Sequence, residues 1–146
     1  NDSMLLVYRL TLPGRMLNVS SRAQTGPGAS AHILGFVVAG PRPRSLLIRG
    51  VGPTLAGFGV TGALADPVLA LFNATGQQIL TNDDWGIVAN LADLRAAAHA
   101  AGAFLLEDGS KDSALLVGLD PGVYSAQVSG SAGTNGLSLL EIYEVP

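Results

Sequence analysis

Apolar residues along this chain come mostly in short alternating runs that glycine and proline interrupt. Residues 4–12 show the pattern: Leu6, Tyr8, Leu10 and Leu12 fall on one face of an extended segment, and Leu5, Val7, Arg9 and Thr11 on the other. Pro13-Gly14 ends the run. The same reasoning predicts strands at residues 16–22, 31–39, 45–51, 68–73, 77–81, 113–119, 122–129 and 137–145. Many short strands separated by turn signals predict an all-β fold, a β-sandwich of the jelly-roll or immunoglobulin-like kind, and not alternating βαβ units. Residues 87–101 are the exception. There Ile87, Leu91, Leu94, Ala98 and Ala101 recur at helical spacing in an alanine-rich stretch, which predicts one short helix over an edge or end of the sandwich.

Tyr124 follows Pro121-Gly122 by two residues at a strand entry. That placement predicts a tyrosine corner, in which the hydroxyl donates back to upstream backbone and the residue is structural.

Composition narrows the function. At 146 residues the chain fits one domain. No apolar run reaches the roughly 20 residues of a spanning helix, so no membrane span is expected. Charged residues make up 13%, about half the usual share, and Lys111 is the sole lysine, which points to a surface partly covered by partners. A net charge of −3 with scattered arginines argues against a nucleic-acid face. Cysteine is absent, which removes disulfides, thiolate catalysis and most structural zinc sites. The chain starts at Asn1 without an initiator methionine, as a processed, exported protein would.

A set of ordered stretches carries a family resemblance: Arg15-Met-Leu-Asn-Val-Ser-Ser-Arg22, Gly35-Phe-Val-Val-Ala-Gly40, Leu47-Ile-Arg-Gly-Val-Gly-Pro-Thr-Leu55, Phe58-Gly-Val-Thr-Gly-Ala-Leu-Ala-Asp-Pro67, Asn82-Asp-Asp-Trp-Gly86, Gly102-Ala-Phe104, Ser110-Lys-Asp112, Pro121-Gly-Val-Tyr124 and Glu141-Ile-Tyr143. Over residues 15–146 the chain resembles a β-rich, repeat-type domain of large secreted or cell-surface proteins of environmental bacteria. The resemblance implies extracellular display and no catalytic role. Gly50 stands where that pattern has alanine, which bears on local strand packing.

Residues 1–14 have no counterpart in that pattern and form an N-terminal extension ahead of a sandwich at 15–146. The extension is a candidate donor strand: inserted into a neighbouring copy, it would add ladder hydrogen bonds and bury Leu6, Tyr8, Leu10 and Leu12 as a subunit interface. Four such side chains contribute on the order of 6–12 kcal/mol before ordering costs. A head-to-tail contact of this kind does not close, so it builds filaments. Pairing within its own domain as a first strand is the alternative.

Candidate chemistry is sparse. Gly57-Phe-Gly-Val-Thr-Gly62 matches a dinucleotide fingerprint, but Pro67 and a strand pattern follow where a helix should open, so a turn-rich loop is expected and no cofactor. Asp83, Asp84 and Asp112 offer oxygen ligands to a cation such as Ca²⁺, without the spacing of a calcium loop. Capping of the helix at 87–101 by Asp83 or Asp84 explains them more simply. His32 lies in an apolar strand and His99 in the helix, and neither belongs to a hydrolase or metalloprotease motif. Trp85 could stack on sugars or plug one end of the sandwich. Asn18-Val-Ser20 and Asn73-Ala-Thr75 match the N-glycosylation pattern.

The sequence therefore points to a non-catalytic, secreted homopolymer subunit joined by N-terminal strand donation. A monomeric adhesion module for surface glycans, with Trp85 as its stacking residue, is the alternative.

Overall fold

The structure, a computed structural model, describes the backbone of Val7–Leu10 and the whole of residues 18–146. Among these residues it is an all-β sandwich with one α-helix. The strands are β1 (Val7–Leu10), β2 (Asn18–Thr25), β3 (His32–Val38), β4 (Arg44–Val51), β5 (Pro67–Asn73), β6 (Gln78–Asn82), β7 (Ser113–Leu119), β8 (Gly122–Gly130) and β9 (Gly136–Val145). The first sheet runs β1-β3-β8-β5-β6 and the second β2-β9-β4-β7. Among the described residues each strand predicted from periodicity is present, and where both ends are described they fall within a few residues of the prediction; residues 4–6, 11–12 and 16–17 of the predicted strands lie outside the described residues.

Alternation explains the core. Along β2 every second residue is buried, and the same parity holds across the sheets, so Leu34, Phe36, Leu46, Ile48, Leu69, Leu71, Val128, Leu140 and Ile142 meet between the layers. Each large side chain so placed contributes about 1.5–3 kcal/mol. Strand β4 breaks the alternation, because Leu46 through Val51 are all buried. Its second face lies under the helix α1 (Leu91–Ala101), where Leu47 and Val51 join Leu94, Ala98, Leu106 and Trp85 in a second cluster. A strand covered on both sides reads as a continuous apolar run.

The helix begins later than its periodicity predicts. Trp85–Ile87 forms a separate 3₁₀ turn, and Asn90 occupies the N-cap of α1 without a side-chain capping bond. Asp83 and Asp84 therefore do not cap α1, contrary to the expectation from sequence. Gly102 ends it with left-handed backbone (φ 74°), the conformation a helix C-terminus asks of glycine.

The expected tyrosine corner is present: the Tyr124 hydroxyl donates to the Asp120 carbonyl at 2.7 Å, and its ring stacks on Phe36. The stretch at residues 57–62 is a turn. A 3₁₀ segment, Pro53–Phe58, ends at Gly59 with left-handed backbone, and no α-helix opens there. At Gly50 a Cβ would sit 2.7 Å from Ser113 Oγ and 2.9 Å from a Val128 methyl, so glycine fits a gap that alanine would have to force open.

The candidate donor strand is paired inside its own chain. Val7–Leu10 runs parallel to β3, with Val7 opposite Gly35 and Leu10 opposite Val38, whereas every other pairing between these strands is antiparallel. Of the four interface residues read from sequence, Tyr8 and Leu10 lie in this ladder, and Leu6 and Leu12 lie outside the described residues. Among the described residues no helix is long and apolar enough to cross a membrane.

Candidate functional site

Three carboxylates meet at one end of the sandwich, and sheet register puts them there. Strands β5 and β6 pair antiparallel with Leu69 opposite Asn82, so Asp66, just before β5, comes beside Asp83 and Asp84, just after β6. One ligand oxygen from each lies within 4.8 Å of the others. Oδ1 of Asp66 and Oδ1 of Asp84 are buried without a hydrogen-bond partner, and Lys111 Nζ stands 3.9 Å from Asp66 Oδ2. Burial and then the neighbouring Asp66 push the Asp83 carboxyl above the ordinary range; Asp84 adds to this and Lys111 opposes it. Chemically, three hard oxygen donors are a partial set for a divalent cation of the calcium type.

Asp112, grouped with Asp83 and Asp84 on sequence, is placed elsewhere. It is fully buried and serves as a structural hub. Its Oδ1 accepts from the backbone N–H of Gly52 at 2.8 Å and of Thr54 at 3.2 Å, while Oδ2 accepts from the Thr54 hydroxyl and, at 2.5 Å, from Ser110. Its carbonyl takes the Trp85 N–H at 2.9 Å. With both oxygens committed to the loop after β4, Asp112 is not available to an ion at the other three. Sequence missed Asp66 because the pairing of β5 with β6 is what brings it in.

Trp85 is buried in the cluster between the outer face of β4 and α1. Its ring is 3% exposed, Nε1 donates to the Glu107 carbonyl at 3.2 Å and lies 3.3 Å from Ser110 Oγ, and the Arg95 guanidinium covers it at 4.6 Å. A sugar-stacking platform needs an open aromatic face, and this ring does not present one.

The most strongly interacting charges were not singled out from sequence. Arg49 on β4 is 1% exposed and pairs with Glu141 on β9, Nε to Oε1 at 2.8 Å and Nη2 to Oε1 at 2.7 Å. Its Nη1 donates to the Phe104 carbonyl at 2.6 Å, and the guanidinium lies 4.4 Å from the Phe104 ring centre. Tyr143 completes the group by donating to Glu141 Oε2 at 2.5 Å, and burial together with that carboxylate pushes its phenol well above the ordinary range. A usable signal existed: Arg49 and Glu141 are isolated charges in apolar strands, a placement that burial tolerates only for paired ions. A cavity of about 70 Å³ adjoins the group, between Trp85, Leu94 and Phe104. Its volume is below that of an ordinary small-molecule site.

His32 on β3 is held between two serines. It is fully buried, with Nδ1 2.9 Å from Ser138 Oγ and Nε2 3.0 Å from Ser21 Oγ, and Ser138 in turn bonds Thr25 at 2.7 Å. Desolvation lowers its pKa to about 4. This histidine links β3 of one sheet to β2 and β9 of the other and has no open side for a substrate. His99 is exposed on α1.

Comparison with known proteins bears on the fold. No protein-family model and no curated protein matches the sequence. Among solved structures the chain is similar to the pre-peptidase C-terminal domain of a collagenase from Bacillus anthracis, at 10% identity and TM-score 0.55, over 96% of this chain and 95% of that one. A β-glucosidase from Paenibacillus barengoltzii aligns at 12% identity and TM-score 0.34 over 95% of this chain and 11% of that one, too distant to support an inference. What the first likeness establishes is a shared β-sandwich architecture.

Proposed function

We propose that this chain works by contact, as a non-catalytic β-sandwich module of an exported protein or surface assembly. The observation that supports this is the state of its reactive groups. His32 is sealed between the sheets, and Glu141 and Tyr143 are engaged with Arg49. Asp112 is consumed by the loop it anchors. General acid–base work needs a group within reach of a substrate proton, and each of these four is enclosed by its protein partners. The β-sandwich architecture is shared with the pre-peptidase C-terminal domain of a collagenase. The test is turnover on pooled peptide, ester and glycoside substrates. None is expected, and activity that disappears in a folded His32→Gln or Glu141→Gln variant would overturn the proposal.

A finer reading, strand exchange between copies, draws on the β1–β3 ladder. That ladder is parallel, only four residues long and at a sheet edge, and Pro13-Gly14 lies between β1 and β2. Backbone bonds made to β3 of the same chain can be made to β3 of a neighbour, which turns the pairing into a swap with Leu6, Tyr8, Leu10 and Leu12 as its contacts. Negative-stain microscopy of the chain with and without residues 1–13 tests it. Filaments that vanish on truncation are expected; a truncated protein that stays folded and no less associated than the full chain refutes it.

A further inference from the structure

The turn between β5 and β6 carries Asn73-Ala74-Thr75, a match to the acceptor pattern for N-linked glycans. Here the Asn73 carboxamide builds the turn. Its Oδ1 accepts from the Thr75 N–H at 3.0 Å, the Thr75 hydroxyl at 2.8 Å and the Gln77 N–H at 3.0 Å, while Nδ2 donates to Gln77 Oε1 at 3.1 Å. An asparagine side chain that bonds backbone two residues on takes the place of a backbone turn. The consequence is that the amide and the hydroxyl of the pattern stand side by side. Asn73 is partly exposed and residues 74–80 are all exposed. Because β6 is the end strand of its sheet, no neighbouring strand flanks the hairpin on that side.

Asn18-Val19-Ser20 matches the same pattern but is presented differently. Asn18 and Ser20 are exposed, yet all eight residues of β2 are in register with β9, and Val19 between them is packed in the core at 6% exposure. A transferase has to draw the acceptor segment into its own cleft. Lifting residues 18–20 would break ladder bonds and pull Val19 into water. The turn at Asn73 has no such anchor: Ala74 is exposed, and the local backbone bonds, Asn73 N–H to the Gln77 carbonyl and Gly76 N–H to the Asn73 carbonyl, both at 3.0 Å, stay within five residues. A segment held only by short-range, solvent-exposed bonds opens without the rest of the fold. A third match, Asn1-Asp2-Ser3, lies outside the described residues.

We propose that Asn73 is a glycan acceptor in the folded chain, and that its substrate partner is an oligosaccharide carried on a polyprenyl diphosphate and delivered by an oligosaccharyltransferase. In the transfer Nδ2 of Asn73 bonds to the anomeric carbon of the sugar. The bond from that carbon to the diphosphate oxygen breaks, the diphosphate leaves with the electron pair, and Nδ2 gives up one proton to a base of the transferase. The Nδ2 bond to Gln77 is exposed, so exchanging it for a partner on the transferase costs little.

Incubating the folded full chain with a purified oligosaccharyltransferase that reads Asn-x-Ser/Thr, and with a polyprenyl-diphosphate oligosaccharide, tests this by intact mass and glycopeptide mapping. The expected product carries a single glycan, at Asn73. Asn73→Gln and Thr75→Ala should each lose it; the second keeps the acceptor nitrogen and removes only the hydroxyl beside it. A chain with both Asn1→Gln and Asn18→Gln should keep it. Synthetic peptides spanning residues 15–22 and 70–78 should both be modified, which makes fold the reason that Asn18 is spared. A folded chain that stays unmodified overturns the proposal, as does a glycan confined to Asn1 or Asn18 or one as abundant at Asn18 as at Asn73. Refusal of the 15–22 peptide also overturns it, since sequence and not fold would then make the choice.

Discussion

Acid should weaken this protein through His32. The folded imidazole, buried between two serine hydroxyls with its pKa lowered to about 4, stays neutral at a pH where the unfolded one, at the ordinary histidine value of about 6.5, is protonated. Because the unfolded chain binds the extra proton, the stability from neutral His32 is fully present above about pH 6.5 and is lost as pH falls through about 4. The whole difference is worth about 3 kcal/mol, and about 2 kcal/mol of it disappears between about pH 7 and pH 5. Against a typical net stability of about 5–15 kcal/mol, that is a large fraction. Asp83 acts in the opposite direction, since a carboxyl with a raised folded pKa favours the folded state as pH falls. A comparison with His32→Gln cancels this and every other shared contribution. Urea unfolding at the two pH values should show the wild type losing about 2 kcal/mol more than His32→Gln. Titration of the His32 ring by NMR gives a second check. Equal losses in both proteins, or a His32 that titrates near 6.5, would refute the reasoning.

Other perturbations have definite signs. Glu141→Ala leaves the Arg49 guanidinium buried and uncompensated and should cost about 3–5 kcal/mol by chemical denaturation, whereas Arg49→Met with Glu141→Leu should recover much of that loss. Gly52→Ala places a Cβ 2.1 Å from the Leu64 carbonyl oxygen and should lower the melting temperature by several degrees, whereas Gly118→Ala, with open space around it, should move it little. Tyr124→Phe removes the bond to the Asp120 carbonyl and should cost about 1 kcal/mol. In the presence of a chelator, Asp83→Asn removes repulsion from Asp66 and Asp84 and should raise the melting temperature at neutral pH; a fall would show that the three carboxylates are not in conflict.

The strands were legible in the sequence because a period of two is a local property that turn residues punctuate. The Tyr124 corner was legible for the same reason, its Pro-Gly turn and its acceptor at Asp120 lying within four residues. What pairing in space decides was not. Asp66 joins Asp83 and Asp84 only because β5 lies beside β6, and Asp112 leaves that group because Gly52 and Thr54 reach it from the loop after β4. Trp85 is buried because α1 and Arg95 close over it, which one aromatic in a polar stretch does not reveal. Alternation in residues 4–12 specified a strand but not its neighbour, since any open sheet edge offers the same backbone groups; the fold assigns that neighbour to β3. Local pattern thus determined the elements and their inward faces. Only the stacking of the sheets decided which charges are paired and which are crowded.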